Sequence, residues 1–269
     1  MSFRLKSLFK SERPACGTFI FSSDPSTTEI AGHAGFDFVI VDREHTALSW
    51  GDIAGHARAA DAAGISLLIR TRGPDGDEVA RALDIGAEGT VIPHFGVDRE
   101  RSASCVRAAH FAPQGDRGTC TGTRAARFSL RNFANVVEEA NREALIVVQI
   151  EDAEVLPGLD DLLDAVAVDA IMPGLADLST SLGLPGQFAA PRVLEATERI
   201  FASAERAGLP VGHYIANAGE AARWRGRRAG FQVYAIDYKV LAEGYRDALK
   251  SMRGDGEGPL DVVRKAAPR

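Results

Sequence analysis

Eight short runs of β-forming apolar residues, each separated from the next by a helical stretch, recur along the 269 residues. Few folds accommodate that rhythm. The expected strands are Cys16–Phe21, Phe36–Asp42 (FDFVIVD), Ile65–Thr71 (ISLLIRT), Thr90–His94, Ala144–Ile150 (ALIVVQI), Val168–Met172, Pro210–Ile215 and Phe231–Ile236. Most are apolar on both faces, which is the mark of a parallel sheet covered on both sides. The expected helices are Ser26–Gly35, Ser49–Gly64, Asp75–Ile85, Asp98–Ala112, Asn132–Arg142, Arg192–Gly208, Gly219–Gly230 and Leu241–Met252. Eight such units with no sign of a central reversal of strand order favour a single (β/α)8 barrel over a doubly wound sheet, and a barrel typically takes about 250 residues. The expected domain runs from residue 1 to 254, with a polar tail over residues 255–269.

Composition narrows the function classes. A net charge of −6 argues against nucleic acid or an anionic membrane as partner. Cys16, Cys105 and Cys120 are far apart, with no zinc-site or disulfide spacing, which suits a reducing cytoplasm. The first 14 residues lack the continuous apolar core of a secretory signal, and no stretch approaches the ~20 apolar residues that span a bilayer.

In a barrel of this kind the active site forms at the C-terminal ends of the strands. The residues there are Asp42-Arg43-Glu44-His45, Arg70, His94, Gln149-Ile150-Glu151-Asp152, Gly174-Leu175-Ala176-Asp177 and Asp237-Tyr238-Lys239. Glu151 and Asp177 follow adjacent strands. Two carboxylates there suit magnesium or manganese with open positions for substrate, although acids in a helix first turn also serve as caps. Arg70 closes an apolar strand and should hold a carboxylate or oxyanion, or else pair with Glu44 or Asp42. His45 is a general acid–base candidate because it titrates near neutrality, with Asp84 as a possible carboxylate partner. His33, His56 and His110 fall on helices and read as structural. The Gly-rich segment Gly115–Gly122 matches no phosphate loop. A Schiff-base enzyme needs a desolvated lysine; of Lys6, Lys10, Lys239, Lys250 and Lys265, only Lys239 lies near a strand end.

The string GTFIFSSDPSTTEIAGHAGFDFVIVDREH resembles the opening of the HpcH/HpaI family of metal-dependent pyruvate aldolases. The resemblance continues through Arg70, ALDIGAEGTVIP, RAARF, VVQIED and VDAIMPGLADLSTSLGLPGQ, in order and at matching spacing. It implies a (β/α)8 barrel with the last helix exchanged between subunits, assembled as a homo-trimer or hexamer. It implies reversible cleavage of a 4-hydroxy-2-oxo acid to pyruvate, or a related 2-oxo acid, plus an aldehyde, through a metal-stabilised enolate.

Carried over by position, the resemblance makes Glu151 and Asp177 the ligands of a divalent metal, Mg2+ or Mn2+ with Co2+ or Zn2+ as alternatives. Gln149 and the backbone of Gly174, Leu175 and Ala176 would bind the oxo acid. Arg70 would neutralise the enolate oxygen, His45 with Asp84 would move protons, and Asp42 would order the mouth. Departures from the family pattern are Pro173, Leu175, His94-Phe95, His213-Tyr214 and Tyr238, which bear on the aldehyde side. The rival functions are an acyl-CoA lyase of the malyl- or citramalyl-CoA type, for which no adenine-nucleotide site is seen, and a non-catalytic barrel that binds an oxo acid.

Overall fold

The computed structural model describes residues 5–217, 220 and 229–254. Its strands are β1 (Ala15–Ile20), β2 (Phe38–Asp42), β3 (Ser66–Arg70), β4 (Gly89–Ile92), β5 (Leu145–Ile150), β6 (Ala170–Pro173), β7 (Val211–Ile215) and β8 (Ala229–Ile236). They close into a parallel barrel in sequence order, β8 pairing with β1. All eight expected strands are present, within a few residues at each end.

Among the described residues the helices are α1 (Leu5–Leu8), α2 (Ser26–His33), α3 (Trp50–Ala63), α4 (Gly76–Ile85), α5 (Arg99–Ala108), α6 (Phe133–Glu143), α7 (Leu159–Ala165), α8 (Leu175–Ser181), α9 (Pro191–Arg206) and α10 (Asp237–Arg253). A 3-10 turn, Ala153–Gly158, precedes α7. The sequence reading missed α1, α7 and α8, which are four to seven residues long and too short to show a helical period. The expected helix Gly219–Gly230 falls mostly outside the described residues, as does the whole 255–269 tail.

Strand alternation separates two kinds of core. Phe19, Phe38, Ile40, Leu68, Val91, Val147, Met172, Phe231 and Val233 fill the barrel interior. The intervening residues, such as Val39, Val41, Leu67 and Ile69, pack outward on the helices. Gly17 and Gly212 make room inside, since a Cβ on either would run into the ring of Phe38 or Phe231. The same period of two carries on to the strand ends: Asp42 follows Phe38 and Ile40, Arg70 follows Leu68, and Gln149 follows Leu145 and Val147. The polar side chains therefore point into the mouth because the apolar ones below them point into the core.

The bottom of the barrel is sealed by the N-terminal segment. Phe9 stacks on Phe231 with ring centroids 4.2 Å apart and meets Phe38 edge-on at 5.7 Å. The Leu5 amide donates to Glu88 at 2.5 Å, and Lys6 pairs with Asp169 at 2.8 Å. Phe9→Ala should therefore destabilise the protein by about 3–5 kcal/mol, the usual cost of opening a cavity of that size. An unchanged urea midpoint would show that the seal contributes nothing.

His56, on α3, is fully buried, and its neighbours specify its tautomer. The ring Nε2 donates to the Ser22 carbonyl at 2.9 Å, so Nδ1 accepts from the Thr28 hydroxyl at 2.8 Å. Burial lowers its pKa, against the opposing pull of the Ser22 carbonyl and of Asp237, Asp52 and Asp24. A depressed folded-state pKa gives stability that is present above the ordinary value near ~6.5 and lost as pH falls through the folded value. Ring-nitrogen NMR should show the Nε2–H tautomer at neutral pH and a midpoint below that of free histidine; a midpoint at or above it would refute this account.

Candidate active site

The mouth is organised around Asp42 and Arg70, which lie in register on neighbouring strands. Asp42 is fully buried. One of its carboxylate oxygens accepts from Arg70 Nε at 2.5 Å and the other from the His45 amide at 2.8 Å. Its carbonyl accepts from the Thr46 hydroxyl at 2.6 Å, so this one residue shapes the loop after β2. Arg70 Nη1 then meets Glu44 Oε2 at 3.2 Å and donates to Gln149 Oε1 at 3.4 Å. The guanidinium lies over the Phe19 ring, 4.8 Å from its centroid. The two expectations for Arg70 thus coincide in part: it pairs with both Asp42 and Glu44, and it does so facing the mouth.

Gln149 passes the network on by donating from Nε2 to Glu151 Oε2 at 3.0 Å. The other Glu151 oxygen accepts from the His94 amide at 2.8 Å. Glu151 is 1% exposed, and Gly174 is the reason it fits: a Cβ there would overlap the carboxylate. Burial pushes the Glu151 pKa well above the usual carboxylate range; the His94 amide and ring oppose the shift, while Glu44 and Asp177 add to it. Glu44 is raised by burial too, against the pull of Arg70 and His94. A divalent cation would relieve this crowding of buried negative charge.

Ligand atoms of Glu44, His94 and Glu151 lie within 4.8 Å of one another and could hold a metal ion. Of the expected pair, Glu151 belongs to this set. Asp177, in the first turn of α8, raises the pKa values of Glu44 and Glu151 through its charge but is not in the convergent set. The sequence places Glu44 and His94 among the polar residues at the strand ends, Glu44 also as a partner for Arg70, and His94 as a departure from the family pattern. The available signal was their position, both just beyond strand ends that face the mouth.

His45 sits at the rim with its side chain 54% exposed, and its Nε2 is 3.6 Å from Glu44 Oε2. The expected pairing of His45 with Asp84 is not made within the chain. α4 runs from the top of β3 back to the start of β4, so Asp84, near its end, lies at the opposite end of the barrel. There it accepts from Arg117 at 2.7 Å. Within this chain the carboxylate beside His45 is Glu44.

The remaining departures divide by face. His213 is buried on the outer side of β7 against Phe201, ring centroids 5.2 Å apart, and does not reach the mouth. Tyr214 packs with the barrel interior and lies 6.5 Å from Phe19 between centroids, while Phe21 and Tyr238 are also 6.5 Å apart. Asp237 is a clamp: its two oxygens accept from the Phe21 and Ser22 amides, each at 3.0 Å, tying β1 to the start of α10. Lys239 donates to the Ala216 carbonyl at 2.7 Å and lies 3.7 Å from Glu243, partly exposed, which is not the desolvated setting of a Schiff-base lysine.

Residues 15–243 match the HpcH/HpaI aldolase/citrate lyase family. A protein of Paraburkholderia phytofirmans described as a hydroxypyruvate/pyruvate aldolase is 30% identical, over 93% of this chain and 97% of its own length. A 4-hydroxy-2-oxo-heptane-1,7-dioate aldolase of Shigella sonnei is 30% identical, over 90% of this chain and 92% of its own. The crystal structure of an HpcH/HpaI aldolase from Desulfitobacterium hafniense superposes with a TM-score of 0.86 at 32% identity, covering 93% of this chain and 96% of that one. The chain belongs to the HpcH/HpaI aldolase/citrate lyase family, whose members here are carbon–carbon lyases built on this barrel.

Proposed function

We propose that this protein is a divalent-metal-dependent aldolase that reversibly cleaves a 4-hydroxy-2-oxo acid to pyruvate, or a related 2-oxo acid such as hydroxypyruvate, and an aldehyde. The observation that carries this reading is the continuous path of contacts Asp42–Arg70–Gln149–Glu151, which sets a fixed cation beside a buried carboxylate at the mouth of the barrel. The donors fit a cation, because Glu151 is held in a cradle that only glycine at 174 permits and two further acids face it.

Glu151 and Asp177 are the assigned metal-binding carboxylates, with Mg2+ or Mn2+ as the expected ion. A divalent cation held there supplies Lewis acidity at the oxo-acid carbonyl. Arg70 brings preorganised positive charge to the side on which an enolate oxygen gathers negative charge, and Asp42 and Glu44 hold its guanidinium in place beforehand. Gln149 lies between Arg70 and Glu151 and orients the bound oxo acid. The first-turn amides of Leu175 and Ala176, with Gly174 as their cap, are assigned to the substrate carboxylate. His45, exposed at the rim, takes the hydroxyl proton in the cleavage direction and returns it in synthesis, with Glu44 orienting the ring.

The acyl-CoA lyase and binding-protein alternatives gain no specific support from the mouth as described. No helix among the described residues is long and apolar enough to cross a membrane. The three cysteines are unpaired, which supports a cytoplasmic setting.

The test needs no knowledge of the aldehyde. In heavy water with Mg2+ or Mn2+, pyruvate should lose its methyl proton signal in NMR, and chelator should stop the loss. Arg70→Lys keeps the charge but not the fork that reaches Asp42, Glu44 and Gln149, and should slow exchange by about 10²–10³-fold. Glu151→Ala should abolish it. Metal-independent exchange, or none with any divalent ion and either oxo acid, would refute the assignment.

The partner proposed for α10 is a second copy of the chain. None of its residues is buried, and Leu241, Tyr245, Leu249 and Met252 form one exposed stripe, 53%, 69%, 45% and 84% accessible. A homo-oligomer in which this helix packs on a neighbouring barrel, as the family resemblance implies, covers it. The double variant Leu241→Glu/Leu249→Glu should fall to monomer mass in sedimentation while keeping its far-UV circular dichroism. A wild type that sediments as a monomer would overturn the proposal.

A further inference from the structure

We propose that His94 is a further protein ligand of the cation at the mouth, beside Glu151 and Glu44, and that its imidazole tilts the site from magnesium toward manganese, cobalt and zinc. This rests on the metal-dependent reading above and adds a nitrogen donor to the carboxylates assigned there.

The imidazole is set up in the manner of a metal ligand. His94 Nδ1 lies 3.0 Å from Asp152 Oδ2, a bond that places the proton on Nδ1 and leaves the Nε2 lone pair free to coordinate. A carboxylate behind a histidine is the usual way in which a metal-binding ring is oriented and made more basic. Nε2 points to the shared space, 3.4 Å from Glu44 Oε1, about the separation of two donors that each sit ~2.1 Å from one ion. Glu151 Oε1 lies on the same side of the ring, 3.8 Å from Nδ1, and one ligand atom from each of the three residues lies within 4.8 Å of the others.

The backbone is committed to this placement. His94 has φ +51°, a left-handed conformation that few non-glycine residues adopt, histidine being among those that adopt it more readily. Two bonds to strand β5 and its extension hold it there: the His94 amide donates to Glu151 and the Phe95 amide to the Gln149 carbonyl at 3.1 Å. The turn thus returns the ring over the mouth, and Phe95 fills the core on the other side. Magnesium prefers an all-oxygen shell, whereas imidazole favours first-row transition ions, so a nitrogen donor here acts on selectivity.

The direct test is pulsed EPR of the Mn2+-loaded wild-type protein, prepared with natural-abundance and with 15N-labelled histidine. A coupling from a bound imidazole nitrogen that changes with the isotope is expected. It should vanish in His94→Asn, which tolerates the left-handed backbone, and persist in His45→Asn. In titrations read by metal content after gel filtration, His94→Asn should lower the preference for Zn2+ over Mg2+ by about tenfold or more, and Asp152→Asn should give a smaller loss in the same direction. Manganese bound without histidine coupling would overturn this inference and leave the carboxylate site standing. Coupling that survives in His94→Asn would overturn it equally, whatever the other histidine responsible. A wild-type protein that takes up no divalent ion would remove both this inference and the function on which it rests.

Discussion

The pairing of Arg70 with Asp42 is the contact on which the mouth of the barrel depends. An arginine removed from water is costly unless its charge and donors are met, and truncating one partner of such a pair typically costs about 3–5 kcal/mol. Here the guanidinium is met from β2 by Asp42, from the following loop by Glu44, and from β5 by Gln149. A single side chain therefore fixes the relative height of strands that do not all pair with one another. Glu151 inherits its orientation from this arrangement through Gln149. Without Arg70, Asp42 and Glu44 would lose the guanidinium that both face, close to a third acid.

The barrel was legible because eight short apolar runs alternate with helical stretches, most of the runs apolar on both faces as in a covered parallel sheet. That pattern is local and needs no tertiary information to read. Arg70 was legible as a charged residue closing an otherwise apolar strand, whereas the role of Gln149 came from the family resemblance. Glu44 and His94 were placed at the strand ends, but their roles were not legible: they lie in loops, where period no longer says which way a side chain points, and His94 also takes a left-handed turn. Asp84 is the converse case: the direction of α4 carries it to the other end of its own barrel, so within one chain it meets Arg117 and not His45. The short helices α7 and α8 escaped because one or two turns hold too few residues to display a helical stripe.

The two ends of the barrel use charge differently. At the bottom, Lys6, Asp169 and Glu88 fasten the first residues of the chain to the barrel, and each acid has a partner. At the top, acids outnumber cations around Glu151, and the imbalance lies in buried space. Stability is concentrated where charges are matched, and binding capacity where they are not. This division of labour between the two faces is the one expected of a barrel enzyme.

The seal at the bottom has a consequence for synthesis. Phe9 stacks on Phe231, and β1 finds its second neighbour only in β8, so the first and last parts of the barrel are each other's partners. A chain emerging from the ribosome cannot satisfy its N-terminal aromatic residues until more than 230 residues have been made. Until then β1 offers an open edge, and the interior rings Phe19 and Phe38 lack their far wall. Contacts that span nearly the whole chain are slow to form and leave edges exposed to unwanted pairing. In this protein the eighth strand completes the shelter of the first, which ties closure of the barrel to synthesis of all eight strands.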